Sequence, residues 1–408
     1  VEKSSPPLET ETSVKPATRK LFFLLFGVNL PDILELLPKD SFLRDWPSCW
    51  PDLPAPNSFL VLTGISALGA ALGRKAFLPY GHWTTIPIIP VIVLGPPGLG
   101  KTESIKCAEV LIESLLPLDQ PTSIPPSTKE ELLWCLSFSP HAIMYATEMA
   151  AFFSTEKYKE GVVPAITALL DFPRTYRTAT RKDGVITIKE PALTIMAAST
   201  IPWFQERLPK SANEGGFLAR YLIVHETEPG KHVAFAGDRS PKEEYALSRK
   251  REQVLSKFKD AASLQGQFRM DSWGAKDVFV PWKTIYKPPA EVADTFASRK
   301  DEFVLRLAIN LAASCGKMII DEDHMRAAVG IYEYCMHSLA KVIVPFTIIG
   351  KAQAQILHIA GESGATDKEI CRALANSYPA QDVLKWINSL EFSEKLVKKE
   401  GRYFEARV

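Results

Sequence analysis

Gly95-Pro-Pro-Gly-Leu-Gly-Lys-Thr102, GPPGLGKT, decides how this chain is read. It matches the pattern G-x-x-x-x-G-K-[ST]. Before it runs the apolar stretch Val91-Ile-Val-Leu94, a strand pattern. After it, Ile105, Ala108, Ile112 and Leu115 fall on one face of a helix that Pro117 stops. Strand, glycine-rich turn and helix start are together suited to a phosphate. Gly95, Gly98 and Gly100, with Pro96, Pro97 and Leu99 between them, let backbone N–H groups converge on it. The helix beginning near Gly100 adds its positive end. Lys101 brings charge to the β- and γ-phosphates, and the Thr102 hydroxyl is a magnesium ligand. ATP and Mg2+ are therefore the expected cofactors.

A phosphate loop alone names no function. Its second element should be an acidic group at the end of another strand. Ile143-Met-Tyr-Ala leads to Thr147 and Glu148, where the usual pattern has Asp-Glu. Glu148 is the candidate base that orients the attacking water. With the Asp missing, magnesium is left to Thr102, Thr147 through water, and Glu148, which puts the rate of turnover in question. A third element is a polar strand tip. Ala192–Ala198 ends in Ser199 and Thr200, either of which suits contact with the water or the γ-phosphate. A fourth is an arginine delivered from a neighbouring subunit. Arg220, where a helix turns into a strand after Gly215 and Gly216, is the candidate, set against a structural ion pair, with Arg207 as fallback.

Around these motifs the chain alternates strand-like and helix-like pieces, which argues for an α/β fold with a mostly parallel sheet flanked by helices. Residues 1–20 are rich in Pro, Ser, Thr and charge and read as a disordered linker. Residues 21–87 read as an N-terminal helical region, 88–226 as the nucleotide-binding core, 227–346 as a helical lid and 262–289 within it as irregular. Residues 347–408 show three helices, one opened by the capping box Thr366-Asp-Lys-Glu369, then a hairpin, the order of a winged helix. Lys385, Lys395, Lys398, Lys399 and Arg402 there suit nucleic acid or a docked protein.

Composition bounds the class. The 408 residues carry 46% hydrophobic and 23% charged side chains and a net charge of +1, so any nucleic-acid contact must be local. One local feature is available. Tyr176-Arg-Thr-Ala-Thr-Arg-Lys-Asp-Gly-Val-Ile-Thr-Ile188 alternates as two strands of a hairpin spanning 174–189. Arg177, Arg181, Lys182 and Lys189 are its candidate DNA contacts, of a kind that grips phosphates without reading sequence. No apolar run is long enough to span a bilayer. Six scattered cysteines read as reduced thiols of a cytoplasmic protein. The chain starts at Val1 rather than Met, and the expectation is a part of something longer.

Taken together, Gly81-His-Trp-Thr-Thr-Ile-Pro87, the phosphate loop, Ala146-Thr-Glu148, Pro191-Ala-Leu-Thr-Ile-Met-Ala-Ala-Ser199, Gly215-Gly-Phe-Leu-Ala-Arg220 and Arg306-Leu-Ala-Ile-Asn-Leu-Ala312 resemble the ATPase domain of phage and plasmid replication proteins. Those are similar to superfamily-3 helicases, a branch of the AAA+ ATPases, and the resemblance covers about residues 58–345. It implies an ATP-driven DNA helicase built as a ring, commonly hexameric, acting on single-stranded or forked DNA. It also implies a primase or polymerase region upstream in the same polypeptide and, for a phage protein, a bacterial host cytoplasm. The hairpin would then project into the ring's pore, and Arg306 would be a lid arginine reaching the γ-phosphate or a member of an ion pair. The alternative is a nucleotide-switched DNA-binding initiator or loader, which the missing Asp before Glu148 favours.

Overall fold

Val91-Ile-Val-Leu94 is buried along its whole length, as are the eight residues from Ala192 to Ser199. Continuous apolar strands of this kind require cover on both faces, which a parallel sheet flanked by helices supplies. In the computed structural model the described residues are 31–125, 128–149, 161–180, 184–207, 216–231, 237–271, 273–289, 292, 298–343, 348–361, 364–375, 377–392, 395–399 and 401–406. The expected linker at 1–20 and the hairpin-tip residues Arg181 and Lys182 lie outside them.

The strands are β1 (Ala76–Tyr80), β2 (Trp83–Thr85), β3 (Val91–Leu94), β4 (Thr122–Ser123), β5 (His141–Ala146), β6 (Thr175–Thr180), β7 (Gly184–Lys189), β8 (Ala192–Ser199), β9 (Leu222–His225), β10 (Gly266–Gln267), β11 (Arg269–Met270), β12 (Ile319–Ile320), β13 (Leu396–Lys399) and β14 (Arg402–Glu405). The helices are α1 (Ile33–Leu36), α2 (Asn57–Leu72), α3 (Lys101–Glu113), α4 (Lys129–Phe138), α5 (Val162–Leu169), α6 (Ile201–Arg207), α7 (Pro241–Ala262), α8 (Gly274–Ile285), α9 (Lys300–Ser314), α10 (Glu322–Ile343), α11 (Ile348–Ala360), α12 (Asp367–Leu374) and α13 (Ala380–Phe392).

The central sheet has five strands in the order β4-β5-β8-β3-β9, all parallel. Its register levels the strand ends: Leu94 pairs with Ser199 on one side and His225 on the other, and Ala146 pairs with Ala197. Helix α2 is buried all round and packs against the sheet, α3 and α9. Its small residues allow close approach. Ser66 donates to the Ile89 carbonyl at 2.7 Å, and Thr63 donates to the Ser104 carbonyl at 3.1 Å, tying α2 to the segment that leads into β3 and to the helix after the glycine-rich loop. A Cβ on Gly69 would overlap the Pro87 carbonyl oxygen.

Two expectations are corrected. Residues 21–87 are not purely helical, because β1 and β2 form an antiparallel hairpin with β10 added in parallel. Residues 262–289 are not irregular, because they hold β10, β11 and α8. Helix α8 has no side-chain cap at Trp273 and carries Pro281 inside, so it has no start signal and one breaker. Tertiary contact holds it: Val278, Phe279 and Trp282 are buried, and the Trp282 indole N–H donates to Glu333 of α10 at 2.8 Å.

Helices α11 to α13 and the β13–β14 hairpin share a separate small core of Ile356, Ile370, Val383, Ile387, Leu396 and Tyr403. The Thr366–Glu369 capping box is formed. Two of its basic residues are used internally, since Arg402 donates to Gly364 and Glu369 and Lys398 donates to Tyr403. Among the described residues no helix is long and apolar enough to cross a membrane, and all six cysteines are free.

Gly69→Ala should lower stability by about 1–3 kcal/mol, since a backbone carbonyl cannot move aside, and chemical denaturation checks it. Glu333 gives a pH signature. Burial pushes its carboxyl up to about 7, against the opposing indole bond. An acid whose folded pKa is raised binds more protons folded than unfolded, so its contribution falls as pH rises from about 4.5 to about 7. The wild-type-minus-Glu333→Gln stability difference should fall by about 3 kcal/mol across that window, read by denaturant melts at several pH values.

Candidate nucleotide site

Strand β3 ends at Leu94 and the loop begins under close restraint. A Cβ on Gly95 would sit 2.8 Å from the Glu226 carbonyl oxygen. Gly98 and Gly100 take φ of 80° and 72°, a region that other residues adopt only at a cost. Gly100 is also pressed against Ala55. Helix α3 then starts at Lys101 with Gly100 as its cap and no side-chain bond to its first N–H groups. Those donors and the helix's positive end are left for an anion. Lys101 Nζ folds back on the Pro96 carbonyl at 2.6 Å. Burial lowers its proton affinity, and Glu103 in the same turn partly restores it.

The loop forms one wall of a cavity of about 590 Å³, within the range of small-ligand sites. Its lining brings together Pro97 to Thr102 on one side with Thr147, Glu148, Ser199 and Thr200 on the other. These come from the ends of three different strands, at the carboxyl edge where parallel sheets hold ligands. Glu148 and Thr147 are exposed, and Ser199 is buried with its hydroxyl donating to the Thr200 carbonyl at 3.2 Å. For magnesium the donor set is hydroxyls and a carboxylate, hard oxygen ligands of the kind it takes alongside waters and phosphate oxygens. Thr102, Thr147 and Glu148 thus fit it, although no group of three acidic, His or Cys side chains is assembled among the described residues.

Other candidates lie elsewhere. Arg306 is not at this cavity. Its guanidinium is buried, donates to the Ile88 carbonyl at 3.0 Å, pairs with Glu302 and lies over the Phe172 ring at 4.7 Å. That is the ion-pair alternative, and it corrects the assignment to the γ-phosphate. No described residue of 227–346 lines the cavity; α10 packs on β9 and α9 on α2, so these helices do not cover the cavity. Arg220 also lies outside the lining. Its Nε and Nη2 fork onto Asp171 at 2.9 and 2.7 Å, and Nη1 donates to the Gly216 carbonyl at 2.7 Å. Gly216 takes φ of 69°, so this glycine serves the turn that receives the guanidinium. Burial pushes the Asp171 carboxyl up, but hydrogen bonds from Arg220 and Arg299 outweigh it and hold it below the usual range.

The expected hairpin is present. β6 and β7 pair antiparallel, Arg177 opposite Thr187 and Thr175 opposite Lys189. Arg177 and Lys189 therefore share one face with Thr187, and both are exposed, while Tyr176, Ile186 and Ile188 turn to the other. Sequence reasoning missed Pro54, Glu103 and Trp203, which also line the cavity. Glu103 adjoins the motif and Trp203 follows Thr200 closely; for Pro54 only the density of prolines between 46 and 57 was a signal. Asp171 was missed outright, because its partner is 49 residues away. No family model matches this chain, and no curated protein matches its sequence.

Proposed function

We propose that this chain is an AAA+-type, ATP-hydrolysing DNA helicase or translocase that works as a ring, as its resemblance to superfamily-3 helicases implies. One observation carries the reading: Lys101 and Thr102 face Glu148 and Ser199 across one cavity. Strand β8 stands between β3 and β5, so their ends are about 10 Å apart at sheet spacing. That gap takes a γ-phosphate with a water behind it. An adjacent strand, at about 5 Å, would press the carboxylate onto the phosphate itself.

The roles follow from the chemistry. The loop N–H groups and the α3 N-terminus cradle the β-phosphate. Lys101 exchanges the Pro96 carbonyl for phosphate oxygens. Glu148 accepts a hydrogen bond from the attacking water and aligns it. Ser199 or Thr200 holds that water or the γ-phosphate from the side. Thr102, with Thr147 and Glu148 nearby, would hold magnesium, which would neutralise phosphate charge when bound. Arg220 serves a neighbouring subunit's site. Arg177 and Lys189 extend the charge of the hairpin along its exposed face for the phosphates of single-stranded DNA. The small domain at 348–406 fits a winged helix, with Lys395 and Lys399 left for a contact and Lys385 paired with Asp382 at 3.5 Å. An upstream primase or polymerase region and a bacterial host cytoplasm belong to the same reading.

Unwinding of a forked duplex tests it. Wild type should separate strands with ATP, and Lys182→Ala should lose this while still binding ATP. Wild type that fails to unwind but binds duplex tightly only with ATP would instead be the switch-type initiator, the reading that Thr147 in the Asp position favours. In single-strand binding titrations over a salt series, Arg177→Ala should reduce the slope of log K against log salt by about 0.7, one phosphate contact.

A further inference from the structure

Asp171 stands two residues beyond the end of α5, at a helix C-terminus where a carboxylate is repelled by the dipole. Two arginines reverse that preference. Arg220 takes both carboxylate oxygens in a fork, and Arg299 Nη2 adds a bond to Oδ1 at 2.7 Å. A guanidinium has five N–H donors. Arg220 spends three, on Asp171 twice and on Gly216, which leaves one on each Nη nitrogen for an outside acceptor. The fork thus fixes the plane of the group and leaves two N–H groups uncommitted among the described residues, on a side chain that is 13% exposed.

The next residue begins the root of the β6–β7 hairpin. Phe172 and Glu190, flanking the hairpin, take φ of 49° and 48°, positions that only surrounding contacts can hold. Arg74 supplies them, donating to the carbonyls of Phe172, Pro173 and Pro191 at 2.8, 3.0 and 2.9 Å. From Asp171 the charges also run through Arg299 and Glu302 to Arg306, which lies over the Phe172 ring. Asp171 is therefore joined to Arg220 by its side chain and to the hairpin root by its backbone.

We propose that Asp171 is a positioning residue that holds Arg220 for the γ-phosphate of a neighbouring subunit's nucleotide and couples that guanidinium to the hairpin root. A displacement of Arg220 toward phosphate draws Asp171, and with it the residues that set the hairpin's angle. This rests on the ring reading of the proposed function.

The test is steady-state ATPase activity of the full chain, with and without single-stranded oligothymidylate, for wild type, Arg220→Ala, Asp171→Asn, Asp171→Glu and the Asp171→Asn/Arg220→Ala double variant. Arg220→Ala should lose about 10³-fold in kcat, with KM for ATP unchanged. Asp171→Asn should lose about 10-fold in kcat, again at unchanged KM, and should lose stimulation by the oligonucleotide. Asp171→Glu keeps the charge but is one methylene longer and shifts the guanidinium, so it should recover that stimulation with kcat about threefold below wild type. In the Arg220→Ala background Asp171→Asn should add nothing, because it acts through Arg220; additive losses mark a merely structural role and overturn the proposal. Asp171→Asn with wild-type stimulation, beside an inactive Arg220→Ala, overturns the coupling and leaves the ring reading standing. Full activity of Arg220→Ala overturns both. Should Asp171→Asn melt below the assay temperature, Asp171→Glu decides alone: kcat lowered about threefold at unchanged KM supports positioning, and wild-type kcat overturns it.

Discussion

Everything around the cavity depends on how strand β3 ends. Leu94 accepts a hydrogen bond from the Glu226 N–H at 3.1 Å, and the Gly95 N–H donates to the Ser199 carbonyl at 3.3 Å. These two bonds carry the sheet ladder one step beyond the strand on both sides. They set the first residue of the glycine-rich loop level with the polar tip of β8. Because a parallel ladder has one register per pair of strands, Glu148 at the end of β5 then follows without further freedom. Gly95 is small because the Glu226 carbonyl lies where a Cβ would be, so the restraint is steric as well as hydrogen-bonded.

Helix α2 holds that strand end in place from behind. It is buried on every side, an unusual demand on a helix, and meets it with Gly64, Ser66, Ala67, Gly69, Ala70 and Ala71, all buried. Asn310 of α9 donates to the same Pro87 carbonyl that Gly69 approaches, at 2.7 Å. Helices α2 and α9 thus meet at one backbone group of the segment between β2 and β3. A second region is held differently, by arginines rather than by close packing. Arg74 and Arg306 are half-buried and buried, and their guanidiniums meet backbone carbonyls and the Phe172 ring at the root of the hairpin. Local strain at Phe172 and Glu190 costs on the order of 1–3 kcal/mol each, and this charged scaffold offsets it.

The central strands were legible because a strand covered on both faces is mostly apolar, as β3 is throughout and β5 and β8 are apart from His141, Thr194 and Ser199. Their starts were less so: the run Ile88–Leu94 becomes a ladder only at Val91, after Pro90, which has no N–H to give. The cap at Thr366 marked α12, since that signal is local chemistry, whereas the capping box of Ser240 and Glu243 that opens α7 was found only in the structure. Helix α8 and the β1–β2 hairpin were not legible, with Pro281 in one and Pro79 in the other arguing against regular structure. For the site, the loop from Gly95 to Thr102 announced itself through spacing alone. Glu148, Ser199 and Thr200 were inferred from strand ends, and their meeting in one cavity required the register.

The arginines mark the limit of such reading. Arg306 and Arg220 were each open between a phosphate and an ion pair, and nothing in their neighbouring residues decides that. The sequence by itself determined the glycine-rich turn, the apolar strands beside it and the helix caps, because each depends on residues close along the chain. Only the tertiary structure decided that Arg306 sits under the hairpin root, that Arg220 is forked on Asp171 and that the helices after β9 leave the cavity uncovered. Those facts depend on which distant segments the packing brings within hydrogen-bonding reach, and a charged side chain takes its role from the partner it meets there.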